Sequence, residues 1–264
     1  MQIGIIGVGK IASAVVEGLF TAGRKEIEIF LSPRNEENSH QLADKYNSVQ
    51  RMKSNQEVLD AAAIIFIALR PAAAREILTT LQFDRRHTVV SFIPLIPYAT
   101  LSELVGPVKE LCRAIPLPGV MNHNCPLPLY RASEAVTSLF SLIGQPLPVE
   151  NEQQLHALWT LTGLITPFYD LLQQLSEWTI AHGVVPETAN TYIADLFQSL
   201  AYMAQQSRPP DFKELASHAA TPNGMNEQAG REIREGGGHG LYASAASRLL
   251  ERFPPAISPA ANLR

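Results

Sequence analysis

Cysteine is scarce in this chain: Cys112 and Cys125 are the two among 264 residues. A disulfide framework is thereby excluded, although these two could still pair with each other, and the count suits a reducing compartment. Charge is sparse and balanced. Lys and Arg total 21 against 25 Asp and Glu, a net charge of −4, and no basic stripe runs along the chain. Nucleic acid is therefore not an expected partner. Long apolar runs are missing too. The stretch 61–69 is too short to cross a bilayer as a helix, so no membrane partner is expected. The first residues read as a strand and a glycine turn, without the basic segment, apolar core and cleavage site of a signal peptide, so a cytoplasmic location is expected. His123 and Cys125 are two neighbouring ligand types that do not complete a tetrahedron, and no metal is expected. Against these absences, 46% of the residues are hydrophobic, enough to bury a sizeable core.

Residues 2–18, QIGIIGVGKIASAVVEG, organise the rest of the chain. A short apolar strand runs into Gly7-Val8-Gly9-Lys10-Ile11-Ala12 and then into a helix with apolar positions Ile11, Val15, Val16 and Leu19. This is a GxGxxA dinucleotide fingerprint with both flanks present. Gly7 permits the tight turn, Gly9 lets a pyrophosphate approach the backbone, and Ala12 lets the helix pack closely on the strand. The helix start, from Lys10 and Ile11, offers amides and a positive dipole end to phosphate. A second strand is expected over residues 26–31, ending in Ser32-Pro33-Arg34-Asn35. An NAD site would place Asp or Glu near that end for the ribose 2′-hydroxyl. None stands there. Ser32, Arg34 and Asn35 offer donors and one fixed positive charge, which favours NADP(H), because the arginine fork matches a 2′-phosphate.

The expected order continues as helix 36–46, strand 48–52, a helix over 55–60 capped by Ser54, and a buried strand over 61–69 that stops at Arg70-Pro71. Leu69, Arg70 and Pro71 sit where a loop leaves the carboxyl end of a strand, which is where α/β proteins build sites. Pro71 suits the first turn of a helix over 72–81. Strands over 88–93 and 108–115 and a helix over 134–143 complete a doubly wound parallel sheet. From residue 150 onward the spacing is helical: 152–162, 167–182, 186–207, 211–219, 227–235 and 241–252. The expected division is a Rossmann-type nucleotide domain over 1–149 and an all-helical domain over 150–264, with the Pro- and Ala-rich tail 254–264 expected to fray.

The order of four segments resembles pyrroline-5-carboxylate reductase and its relatives. These are the glycine turn with its helix, Ala68-Leu69-Arg70-Pro71, Arg113-Ala114-Ile115-Pro116, and Thr221-Pro222-Asn223-Gly224-Met225-Asn226. The resemblance implies a reductase that adds hydride to a cyclic imine from a nicotinamide cofactor. It also implies a homodimer built through the helical domain, with a site between one subunit's nucleotide domain and its partner's loop at 221–226. Catalytic roles fall on Thr221 and Asn226, and contacts to a small-molecule substrate on Asn223, Gly224, Met225 and Asn226. The cofactor half keeps the family pattern better than the substrate half. Leu117 follows Pro116 where the family has Asn, Pro94-Leu95 replaces its Ala-Gly, and Asn223, Met225 and Asn226 replace glycine and threonines. This implies a relative with a different substrate.

Other residues carry weaker signals. Asn226 reads equally as a cap for the helix at 227–235, Thr166 as a cap for the helix from Pro167, and His123 as a loop residue that could supply a proton. Gly236-Gly237-Gly238-His239-Gly240 reads as a flexible link. Trp159, Tyr169, Trp178 and Tyr192 read as core or dimer contacts. Two rival functions remain open: a cofactor-binding regulator without turnover, and a hydroxy-acid dehydrogenase with His182 as its acid.

Overall fold

The structure, a computed structural model, describes residues 1–23, 26–207 and 209–255. Strand β1 (Gln2–Ile6) lies inside an eight-stranded sheet, and its residues from Ile3 on are buried. The chain continues through α1 (Lys10–Thr21), β2 (Glu28–Leu31), α2 (Glu36–Lys45), β3 (Val49–Arg51), α3 (Asn55–Ala61), β4 (Ile64–Ile67), α4 (Pro71–Leu78), β5 (Thr88–Ser91), α5 (Tyr98–Val105) and β6 (Glu110–Ala114). It then forms β7 (Pro126–Tyr130), α6 (Glu134–Phe140), β8 (Gln145–Val149) and α7 (Glu152–Leu161). The strand order is β3-β2-β1-β4-β5-β6-β7-β8. Pairing is parallel from β3 to β6 and again between β7 and β8. The exception to the expected parallel sheet is β6 with β7, which is antiparallel.

Strand residues alternate between the faces of a sheet, so a strand apolar at every position needs cover on both sides. Ile29 and Leu31 of β2, Phe66 of β4 and Val90 of β5 enter one core with α1 residues such as Val15, Val16 and Leu19. Their sequence neighbours Phe30, Ile65, Ile67 and Val89 enter the other, with Val58 and Leu59 of α3, Ala74 and Leu78 of α4 and Leu101 of α5. Local signals fix several ends. The Ser54 hydroxyl accepts from the Glu57 N–H as the cap of α3, and Pro71 stands at the start of α4. Neither cysteine forms a disulfide; both are free and buried.

By contacts the described chain divides into a first unit, Met1–Trp159 with residues 251–255, and a second, Thr160–Leu250. The division therefore falls ten residues past position 149. Most of α7 stays with the sheet because Leu155 and Trp159 pack on Ile115. Arg113 at the end of β6 anchors it further. Its guanidinium, fully buried, donates to the Ile93 carbonyl at 2.9 Å and pairs with the Glu152 carboxylate. It lies 3.1 Å from His156 Nε2 and over the Trp159 ring.

The second unit holds α8 (Ile165–Ala181), α9 (Pro186–Gln205), α10 (Phe212–Ala219), α11 (Met225–Glu235) and α12 (Gly238–Leu250). Gly183, at φ +93°, turns the chain between α8 and α9, and the Ser176 hydroxyl bonds the Asn190 side chain across that pair. The glycine run at 236–240 is a correction. Gly236 caps α11, Gly237 takes φ +74° and α12 begins at Gly238, so the run is a tight corner and not a loose link. The tail expected to fray lies, from residue 256 on, outside the described residues.

Candidate functional site

β1 and β4 are neighbours in space although β2 and β3 lie between them in sequence, so the chain winds outward in both directions from this seam. Loops leaving the carboxyl ends of β1 and β4 diverge there and leave a crevice. A cleft of about 390 Å³ opens at this point, lined by Gly7, Val8, Gly9, Arg34, Asn35, Ala68, Leu69, Arg70 and Ala73. Three separate loops, after β1, β2 and β4, thus bring six of the predicted cofactor residues to one place: Gly7, Gly9, Arg34, Asn35, Leu69 and Arg70.

The two glycines do different work. Gly7 takes φ +93°, and a Cβ there would stand 2.7 Å from the Ala68 carbonyl oxygen, so the turn and the contact with the β4 loop both demand glycine. A Cβ on Gly9 would meet nothing within 4 Å. Its bareness is not needed by the protein's own packing, and it faces a space a ligand can use. Gly9 is also the cap residue of α1, without a side-chain hydrogen bond to the helix. The first amides of α1 are therefore available to an anion in the cleft.

The loop after β2 is tied to this turn. Ser32 is 1% exposed, and its hydroxyl accepts from the Gly7 N–H at 2.9 Å. Its expected place as a donor to phosphate is corrected: it holds the glycine turn from behind. Asn35 sits at φ +65° and donates from Nδ2 to the Val8 carbonyl at 2.8 Å. Asn38 donates to the same carbonyl at 2.9 Å. Sequence reasoning missed Asn38, although it lies one turn after Asn35 on the same helix face. Arg34 is exposed at the cleft mouth. Arg70 caps α4 by position and lines the cleft.

Lys10, Ile11, Ala12 and Pro71 do not line it. Ala12 is fully buried and Ile11 packs against the core, so both serve the joint between helix and sheet. Lys10 lies on a separate depression with Ser13, Glu17, Asn38 and Lys45. Pro71 begins α4. His123, read as a proton source, lies at the other end of α1: its Nε2 is 2.9 Å from Thr21 Oγ1 and 3.0 Å from the Gly18 carbonyl. Among the described residues no group of three or more His, Cys, Asp and Glu could hold a metal ion.

The second unit carries the remaining candidates. Thr221, Asn223, Gly224, Met225 and Asn226 lie at the turn from α10 into α11. Gly224, and not Asn226, is the cap residue of α11; Asn226 is inside the first turn, and its Nδ2 donates to the Ala219 carbonyl at 3.0 Å. A Cβ on Gly224 would stand 2.2 Å from Thr221 Oγ1, which explains the glycine by packing within the turn. Thr166 is likewise within α8, whose cap residue is Leu164, so it does not cap that helix. His182 follows α8, with Nδ1 2.7 Å from the Trp178 carbonyl, the place of a helix-end group. Trp159 is buried, whereas Trp178 and Tyr192 are 63% and 64% exposed.

Comparison with known proteins places both halves. Residues 2–94 match the family described as NADP oxidoreductase coenzyme F420-dependent. Residues 152–254 match the family described as pyrroline-5-carboxylate reductase dimerisation. A pyrroline-5-carboxylate reductase of Corynebacterium melassecola is 25% identical over 95% of this chain and 96% of its own length. Along nearly its whole length the chain is thus similar to pyrroline-5-carboxylate reductases, at low identity. Its fold agrees. The 1-pyrroline-5-carboxylate reductase of Streptococcus pyogenes superposes with a TM-score of 0.83 at 20% identity, covering 96% of this chain and 97% of the other. The Plasmodium falciparum pyrroline carboxylate reductase, solved with NADP bound, gives 0.79 at 16% identity, with 96% of each chain covered.

Proposed function

We propose that this protein is an NADP(H)-dependent reductase of C=N bonds, acting on a cyclic imine or a related substrate, and that it works as a homodimer. The observation that carries the reading is the cleft at the seam of β1 and β4, with an open helix start on one wall and Arg34 on another. The space beside Gly9 fits a pyrophosphate, since no protein atom claims it. Gly7 and Gly9 set the backbone, the amides at the start of α1 receive the diphosphate, and Arg34 with Asn35 receives the 2′-phosphate. Leu69 and Arg70 border the end of the cleft nearer the chemistry.

The bound nicotinamide supplies the hydride, and the protein supplies placement and the exclusion of water. A protonated imine is already activated, so no strong acid is required near its nitrogen. The Asn226 amide, which has both donor and acceptor capacity, orients that nitrogen, and Thr221 lies at the start of the same turn. The test is NADPH oxidation with a panel of cyclic imines and keto acids. Turnover of an imine is expected. Tight NADPH binding with turnover of none would favour the regulatory reading, and no binding of either nicotinamide cofactor would overturn both.

A further inference from the structure

Arg34 and Asn35 line the cleft from the loop after β2, and one guanidinium grips that loop on both flanks of the pair. Arg51 ends β3, opposite Leu31 of β2. Its Nη2 donates to the Pro33 carbonyl at 3.0 Å, and its Nε donates to Ser39 Oγ at 3.1 Å. Ser39 is fully buried in α2, and its hydroxyl donates to the Glu36 carbonyl at 3.1 Å. The same Nη2 meets Glu36 Oε1 at 3.0 Å. Pro33 stands just before Arg34, and Glu36 just after Asn35. Arg51 is not itself among the residues that line the cleft. Glu36 is one of two carboxylates in the first turn of α2, and its side chain is 79% exposed. Released from Arg51, that carboxylate would be free to approach whatever sits at the cleft mouth.

We propose that Arg51 is a positioning residue for the cofactor 2′-phosphate. It sets the backbone that carries Arg34, keeps the Glu36 carboxylate off the phosphate, and thereby selects NADP(H) over NAD(H). The inference rests on the reading of Arg34 as the 2′-phosphate contact and adds the residue that makes the contact selective. A carboxylate near the end of β2 accepts from a ribose 2′-hydroxyl but repels a phosphate, whereas a cation attracts it. Glu36 and Arg34 therefore favour opposite cofactors, and Arg51 tips the balance by engaging Glu36. Arginine suits the task because its planar fork aims separate N–H groups at Ser39, Pro33 and Glu36 together, which a lysine ammonium does not reproduce. An exposed ion pair alone contributes little to stability, and mere bracing of the loop would serve both cofactors alike.

The test is calorimetric titration of NADPH and of NADH into the full chain, as wild type, Arg34→Ala, Arg51→Ala, Arg51→Lys and the double variant Arg51→Ala/Glu36→Gln. Thermal melting checks that each is folded. Arg51→Ala is expected to lower the preference for NADPH about tenfold, through weaker NADPH binding, with NADH changed less than about threefold. Adding Glu36→Gln is expected to recover about threefold of that loss, because the released carboxylate is gone. Arg51→Lys keeps the charge without the fork and is expected to lose about threefold; it carries the test if Arg51→Ala melts well below wild type. Equal weakening of both cofactors, an unmoved preference, or no recovery in the double variant overturns the inference. Loss of preference in Arg34→Ala with none in the Arg51 variants overturns it while leaving the 2′-phosphate reading standing. A wild type that binds neither cofactor, or shows no preference, removes that reading and the inference with it.

Discussion

Arg34 and Ser32 are two positions apart in the loop after β2, yet they face opposite ways. Arg34 is at the cleft mouth, whereas Ser32 is buried under the glycine turn. Their substitutions should therefore separate. Arg34→Ala is expected to weaken NADPH binding about ten- to hundredfold, the range of a lost charge-assisted contact, while changing NADH binding little. Ser32→Ala leaves the Gly7 N–H without its acceptor, which costs about 1–3 kcal/mol. It should lower thermal stability and weaken both cofactors alike. Calorimetric titration of each variant with NADPH and NADH reads the difference; equal losses in Arg34→Ala would remove that residue from the 2′-phosphate. Residue type and spacing made Gly7, Gly9 and Arg34 legible in the sequence. The inward turn of Ser32 was not, because serine serves equally as a ligand donor and as an internal acceptor.

The elements show a similar split. The glycine turn, the alternation of strands and helices, and the helical second half follow from periodicity. β7 and β8 were missed because they read PLPLY and QPLPV. Proline has no N–H to give a ladder and normally argues against a strand. Here the prolines alternate, so those of one strand share an edge, and Pro128 still accepts from the Ile115 N–H through its carbonyl. The placement of α7 was also hidden, since it depends on Arg113 reaching Glu152 and His156 across 39 and 43 positions. Burial first, and the Arg113 charge second, hold the His156 imidazole below its ordinary value of 6.5, against the pull of Glu152. The unfolded chain therefore takes up a proton more readily than the folded one, and acidification below about pH 6.5 lowers stability. Melting temperatures from about pH 7.5 to about pH 5.5 should fall in wild type. They should fall less in His156→Gln, and an identical slope would show that His156 does not titrate on unfolding.

For the whole molecule, the helical unit poses the main question. Trp178, Tyr192, Leu200 and Met203 are exposed on α8 and α9 in the single chain, more apolar surface than water alone explains. The proposed homodimer covers it. Light scattering should give twice the 28.9 kDa chain mass, and Leu200→Glu should shift the protein toward monomer; a monomeric wild type would remove the dimer. The reductase reading as a whole depends on a nucleotide entering the cleft beside Gly9, where a Cβ meets no protein atom and so harms only a ligand. Calorimetric titration of NADPH into wild type and Gly9→Ala tests this most directly. Saturable binding at one site per chain is expected, lost or weakened at least tenfold in a Gly9→Ala protein that melts like wild type. Absence of binding to wild type, or equal binding to both, would contradict it.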